Sequence, residues 1–157
     1  MLAKQTILLV EDSCDDSLVF QAAAIKVWPG ATVLQVNTAE EAIHYFEGAG
    51  KYADRKAFPL PTMAFIDLAL PDMSGQDLVK WIRKQPQFKR LLVAVITGTT
   101  DVHIFSELYR WGADSFVLKT SNNAELVLNL SELTAYWSDR GLMDTSPPTY
   151  ASSESSP

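Results

Sequence analysis

Met63-Ala64-Phe65-Ile66-Asp67-Leu68-Ala69-Leu70-Pro71-Asp72-Met73-Ser74-Gly75 is an apolar run that ends on a single carboxylate and passes at once into a Pro-Asp-x-Ser-Gly turn. Thr62 to Ile66 reads as a buried strand, with Asp67 at its carboxyl end. An unpaired carboxylate is costly to bury. A strand that ends this way therefore implies a partner for Asp67, such as a metal, a cation or a reaction.

Working outward towards the amino end, Ile7-Leu8-Leu9-Val10 is a second continuous apolar run, as expected of a strand covered on both faces. Glu11, Asp12, Ser13, Cys14, Asp15 and Asp16 interrupt it. The pattern predicts a helix from Asp16 to Val27, closed by Pro29-Gly30, and a strand over Thr32 to Val36. Thr38-Ala39-Glu40-Glu41 has capping-box spacing and opens a helix with Ala42, Ile43 and Phe46 inward. Gly48 to Pro61 is a polar loop, long for a compact domain.

Towards the carboxyl end, Ser74 caps a predicted helix that runs to Lys84, with Leu78, Val79 and Ile82 inward, and Pro86 stops it. Leu91 to Ile96 reads as a fourth strand. Asp101 to Trp111 reads as a helix ending at Gly112, and Ser115 to Leu118 as a fifth strand. Asn122-Asn123-Ala124-Glu125 opens a last helix, with Leu126, Leu130, Leu133 and Trp137 at helical spacing. Residues 1–140 form one expected domain, and the Ser/Pro-rich stretch 141–157 reads as a disordered tail.

Strand and helix alternate five times with short connections, which predicts an α/β domain with a parallel sheet covered by helices on both faces. Ligands of such sheets bind beyond the carboxyl ends of the strands. The chain has 157 residues, 47% of them hydrophobic, enough for one full core. A net charge of −6 argues against a nucleic-acid surface and against docking on an anionic membrane. The single cysteine, Cys14, rules out an intrachain disulfide and fits a cytoplasmic location. No secretory signal pattern and no membrane-spanning stretch is present.

The residues at the strand ends are Glu11 and Asp12, Asp67, Thr97 and Lys119. Carboxylates and carbonyls make an oxygen-rich site for Mg²⁺. An aspartate can accept a phosphoryl group as a nucleophile. A metal, a lysine and a hydroxyl can then stabilise charge on the phosphoryl oxygens.

With these residues in place the chain resembles the receiver domain of bacterial two-component response regulators. The matching text is Ile7-Leu8-Leu9-Val10-Glu11-Asp12, Ile66-Asp67-Leu68-x-Leu70-Pro71-Asp72-Met73-Ser74-Gly75, Val95-Ile96-Thr97, and Gly112-Ala113-Asp114-Ser115-Phe116-Val117-Leu118-Lys119. The resemblance covers residues 4–140. It implies a flavodoxin-like, doubly wound, five-stranded parallel sheet in the order 2-1-3-4-5 with five helices. It also implies roles. Asp67 is similar to the phosphoacceptor, and Glu11 and Asp12 to the acidic pair that holds Mg²⁺, with Asp12 the direct ligand ahead of Glu11. The backbone carbonyl of Ala69 is similar to a third protein ligand, Thr97 to the switch hydroxyl, Lys119 to the lysine that pairs with the phosphoryl group, and Phe116 to the switch aromatic. The expected partner is a sensor histidine kinase or a phosphotransfer protein. The loop Gly48 to Pro61 and the segment Ala135-Tyr136-Trp137 further resemble single-domain receivers associated with cyanobacterial phytochromes, which points to a phytochrome-like kinase. With only a short stretch after the last helix, no output domain is expected.

Three further positions matter. Thr120 follows Lys119 where the family usually has a proline after a cis bond; a cis bond to a non-proline residue costs about 3 kcal/mol, so a trans Lys119–Thr120 bond is expected. Gly98 leaves room beside Thr97. Ala69 brings no polar side chain to position a water, so slow loss of phosphate is expected.

Blander readings stand beside these. Asp67 alone reads as a cap or turn residue, as Asp72 does; with Asp12, Thr97 and Lys119 that reading loses. Glu11 could be a solvated acid. Asp15 and Asp16 read as charges that suit a helix N-terminus. His44 and His103 lack metal-ligand spacing, and Cys14 reads as a small loop residue whose thiol sits near negative charge. Ile104, Leu108 and Trp111 read as core, whereas Phe105 and Tyr109, with Tyr136, form a candidate interface and a possible homodimer face across the fourth helix, fifth strand and fifth helix, although scattered surface aromatics explain them nearly as well. The rival functions are a degenerate receiver that only binds, a haloacid-dehalogenase-like phosphatase, which wants an acid where Ala69 stands, and a Rossmann-like nucleotide-binding domain, which wants a Gly-rich turn where Asp12-Ser13-Cys14-Asp15 stands.

Overall fold

The computed structural model describes residues 5–143. Its elements are β1 (Thr6–Val10), α1 (Cys14–Val27), β2 (Thr32–Val36), α2 (Ala39–Glu47), β3 (Met63–Asp67), α3 (Gly75–Lys84), β4 (Leu92–Thr97), α4 (Val102–Trp111), β5 (Ser115–Leu118) and α5 (Asn123–Asp139). The strands form one parallel sheet in the order β2-β1-β3-β4-β5. This is the fold class expected from the alternation and from the resemblance.

Each helix starts where a short polar side chain satisfies its free backbone donors. Ser13, Thr38, Ser74, Asp101 and Asn122 all accept a backbone N–H from the first turn of the helix that follows. Because Ser13 is the cap, α1 begins at Cys14, two residues earlier than expected. Glu41 takes up the expected capping-box position but reaches one residue further back, to the Asn37 N–H at 3.0 Å. Asp72 caps a different helix from the one that follows it: its two carboxylate oxygens accept the Ala39 and Glu40 N–H groups of α2 at 3.0 and 2.9 Å. Burial opposes the charge of Asp72, but these backbone donors hold its carboxyl below the usual value.

Strand alternation divides the core in two. Leu8, Val10, Ile66, Val93 and Val95 pack with α2, α3 and α4 on one face of the sheet. Ile7, Leu9, Phe65, Ile96 and Val117 pack with Phe20, Ala24, Leu130 and Trp137 of α1 and α5 on the other. The inward positions expected of α3 and α5 are all buried. In α4 Leu108 and Trp111 are buried while Ile104 is only half-buried.

The long loop has structure of its own. Gly50–Ala53 forms a 3-10 turn. Arg55 donates to the Tyr45 and Phe46 carbonyls at 2.8 and 2.9 Å, satisfying the open end of α2. Tyr45, Tyr52 and Phe58 form a cluster of tilted and edge-to-face rings beside it. All peptide bonds among the described residues are trans, so the Lys119–Thr120 bond is trans as expected. Past α5, Leu142 donates to the Trp137 carbonyl at 2.9 Å and Met143 packs on the α1–α5 layer. The remainder of the expected tail lies outside the described residues. No helix among the described residues is long and apolar enough to cross a membrane.

Candidate functional site

The register of the sheet assembles the site. Val10 pairs with Ile66, so Glu11, the next residue of the first strand's exit, stands beside Asp67. Asp67 pairs with Ile96, which puts Thr97 one step further out, and Thr97 pairs with Leu118, which puts Lys119 one step beyond that. Glu11, Asp67 and Lys119 share the alternation of Leu9, Phe65 and Val117 and fall on the α1–α5 side. Thr97 shares that of Val95 and falls on the α3–α4 side.

Gly75 lets the turn after β3 close on this edge. A Cβ at position 75 would run into the Asp67 carbonyl and the Leu68 Cα, so only glycine fits. The turn holds Asp67 from below: the Ala69 N–H donates to Asp67 Oδ1 at 3.0 Å. Asp67 is 3% exposed and Glu11 2%. Asp12 lies beside them at the surface.

One cation ties the acids together. Lys119 Nζ lies 2.9 Å from Asp67 Oδ2, 3.2 Å from Glu11 Oε1 and 2.9 Å from Asp16 Oδ2. Burial works against the ammonium charge, but the bonds to Asp67 and Asp16 and the fields of Asp67 and Glu11 outweigh it and raise its pKa above the ordinary lysine value. Glu11 is less well compensated. Burial pushes its carboxyl up to about 7, and its neighbour Asp67 adds to the shift, against the Ser13 N–H and Lys119. A buried acid held near neutrality beside a second buried acid is an arrangement short of positive charge.

The donor set fits a hard divalent cation. One carboxylate oxygen each from Glu11, Asp12 and Asp67 lies within 4.8 Å of the others. Oxygen donors of this kind suit Mg²⁺ or Mn²⁺.

Of the other expected site residues, Thr97 is buried at 4% exposure, and its hydroxyl accepts the Thr99 N–H at 3.1 Å. The hydroxyl meets the loop after β4, while the Thr97 carbonyl accepts the Lys119 backbone N–H at 2.8 Å. Phe116 lies flat on Phe105, with ring centroids 4.3 Å apart and 8° between planes. Tyr109 and Tyr136 are exposed, and Tyr136 is covered by the Arg140 guanidinium at 4.0 Å.

Asp16 belongs to the site, which the sequence reading missed by treating it as a helix-end charge. The signal was its place four residues before Phe20, on the face of α1 that turns towards the sheet.

The family described as Response regulator receiver domain matches residues 7–131 of this chain. Response regulator Rcp1 of Synechocystis is 24% identical over 133 residues, covering 85% of this chain and 88% of that protein. A solved structure of Rcp1, in its Mn²⁺-bound form, is similar at a TM-score of 0.71 and 25% identity, covering 85% of this chain and 94% of the other. The phosphorylated cyanobacterial phytochrome response regulator RcpA is similar at a TM-score of 0.76 and 25% identity, covering 88% and 96%. Response regulator RPA3017, of red light signalling in R. palustris, is similar at 0.78 and 25% identity, covering 90% and 96%.

Proposed function

The chain belongs to the response regulator receiver domain family, and from that premise we propose that it acts as a single-domain response regulator that accepts a phosphoryl group on Asp67. The observation that carries the proposal is the bond of 2.9 Å between Lys119 Nζ and Asp67 Oδ2, beside three carboxylates spaced to take a cation.

An Asp67 oxygen attacks the phosphorus of a phosphohistidine. The O–P bond forms as the N–P bond breaks, and the imidazole leaves with the electron pair and takes up a proton. A divalent cation on Asp12 and Asp67, with Glu11 behind and the Ala69 carbonyl as a further ligand, would neutralise charge on the phosphoryl oxygens. Lys119 pairs with one of those oxygens. Thr97 turns from the Thr99 N–H towards another, and Phe116 shifts with it against Phe105. The readout face then comprises Phe105, Phe116, Tyr109 and Tyr136, a surface suited to a partner or to a second copy of the chain.

The partner read from this site is a sensor histidine kinase or a phosphotransfer protein in the cytoplasm. A phytochrome-like kinase is supported by the relatives named as phytochrome response regulators, by the structured loop around Gly50–Ala53 and by Ala135-Tyr136-Trp137. A phosphatase of the haloacid-dehalogenase type would need an acid at Ala69.

Incubation with acetyl phosphate and Mg²⁺, followed by intact mass measurement, tests the proposal. A gain of one phosphoryl mass that disappears in Asp67→Asn is expected. No gain in the wild type would contradict it.

A further inference from the structure

Of the three carboxylates bonded to Lys119, Glu11 and Asp67 are members of the trio able to hold a divalent cation, and Asp16 is not. A double positive charge on that trio repels the ammonium and occupies the electron pairs it uses. Asp16 is then the acid left to hold it. Lys119 borders a cavity of about 20 Å³ shared with Asp16, Phe20 and Thr120, and among the described residues Glu11, Asp16 and Asp67 are the acids in salt-bridge contact with its ammonium. Asp16 is itself fixed in place, since its N–H is bonded to the Ser13 cap at 3.2 Å in the first turn of α1. Its side chain is 45% exposed at the rim, where it can keep its charge in water while it bonds Lys119.

We propose that Asp16 is a positioning residue for Lys119, keeping the ammonium beside Asp67 when the acid trio carries its cation. This rests on the phosphoacceptor reading of Asp67. Asp15, its neighbour in the same turn, is exposed and is not among the acids bonded to Lys119, so it separates a tether from a general helix-end charge.

The test uses Mg²⁺-saturated protein with ¹⁵N-labelled lysine. The order of the Lys119 ammonium, read from ¹⁵Nζ relaxation, is expected to be the same in wild type and Asp15→Asn and to drop in Asp16→Asn. The affinity for beryllofluoride, a phosphoryl mimic, is expected to weaken about threefold in Asp16→Asn alone, the scale of a half-exposed ion pair. An unchanged ammonium in Asp16→Asn, or equal losses in both variants, overturns the proposal. A wild type that binds no beryllofluoride overturns the reading of Asp67 instead, and the ammonium signal still decides the role of Asp16.

Discussion

Lys119 Nζ lies 2.9 Å from Asp67 Oδ2, so the acid that ends the most buried strand is bonded to the cation that follows the strand at the edge of the sheet. The two are 52 residues apart in the chain and meet only because β3, β4 and β5 run parallel in register. The ammonium occupies electron pairs on Asp67 and Glu11 that a metal would use.

Replacement of Lys119 by Met should therefore tighten Mg²⁺ binding by roughly tenfold, through loss of a like charge a few ångströms away. The same variant should lose most of the coupling between phosphorylation and the Phe116 face. Mg²⁺ titration by tryptophan fluorescence or calorimetry measures the first effect; weaker binding would show that Lys119 is not in competition with the cation.

The raised pKa of Glu11, about 7, sets a pH dependence. In the unfolded chain this carboxyl loses its proton near its ordinary value of 4.5. Between the two values the folded state holds a proton that the unfolded state has released, so this group's contribution to stability falls as pH rises through the window and levels off above it. The metal-free protein should lose melting temperature between pH 4.5 and about 7, and added Mg²⁺ should offset the loss, as a cation held at this carboxylate would. Apparent Mg²⁺ affinity should rise over the same range. Glu11→Gln should flatten the melting profile; an unchanged slope in that variant would assign the effect elsewhere.

Much of this was legible in the sequence because a strand end is a local signal. An apolar run that stops at Glu11, Asp67 or Thr97 marks the sheet edge without knowledge of the partners, although the ends of β3 and β4 extend one residue past the expected limit, to Asp67 and Thr97. Contacts made between distant elements were not legible. Asp16 reaches Lys119 across 103 residues of chain, and only its place four residues before Phe20 sets it apart from Asp15. Asp72 was readable as a cap, but not as the cap of α2, which precedes it. Nor was the bond from the Tyr45 hydroxyl to the Pro59 carbonyl at 2.6 Å, which ties the long loop to the core.

Asp72→Ala removes both acceptors at the start of α2 and should cost about 1 kcal/mol. For a domain of this size that lowers the melting temperature by about 3 °C. Asp67 should still be phosphorylated, because the loss lies at the helix and not at the carboxylate. Urea unfolding with a phosphorylation assay checks both. The native contribution of Asp72 should itself fade only in acid, since its carboxyl is held below the usual range.

Ala69 presents a backbone N–H to Asp67, and its side chain carries no polar group. With no side chain there to orient a water, the acyl phosphate should persist for minutes or longer in the purified protein, and Ala69→Asn should shorten its lifetime. Decay of the phosphorylated mass after removal of the donor gives the half-life. A half-life of seconds in the wild type would show that another group positions the water.

Chemical trapping shows whether Asp67 is the residue that carries the phosphoryl group. Borohydride reduces an acyl phosphate to an alcohol, so an aspartate that was phosphorylated becomes homoserine. Protein phosphorylated with acetyl phosphate and Mg²⁺, reduced and then sequenced by mass spectrometry, should contain homoserine at position 67. Homoserine at another acid of the cluster, such as Asp12, or at none, would contradict the account.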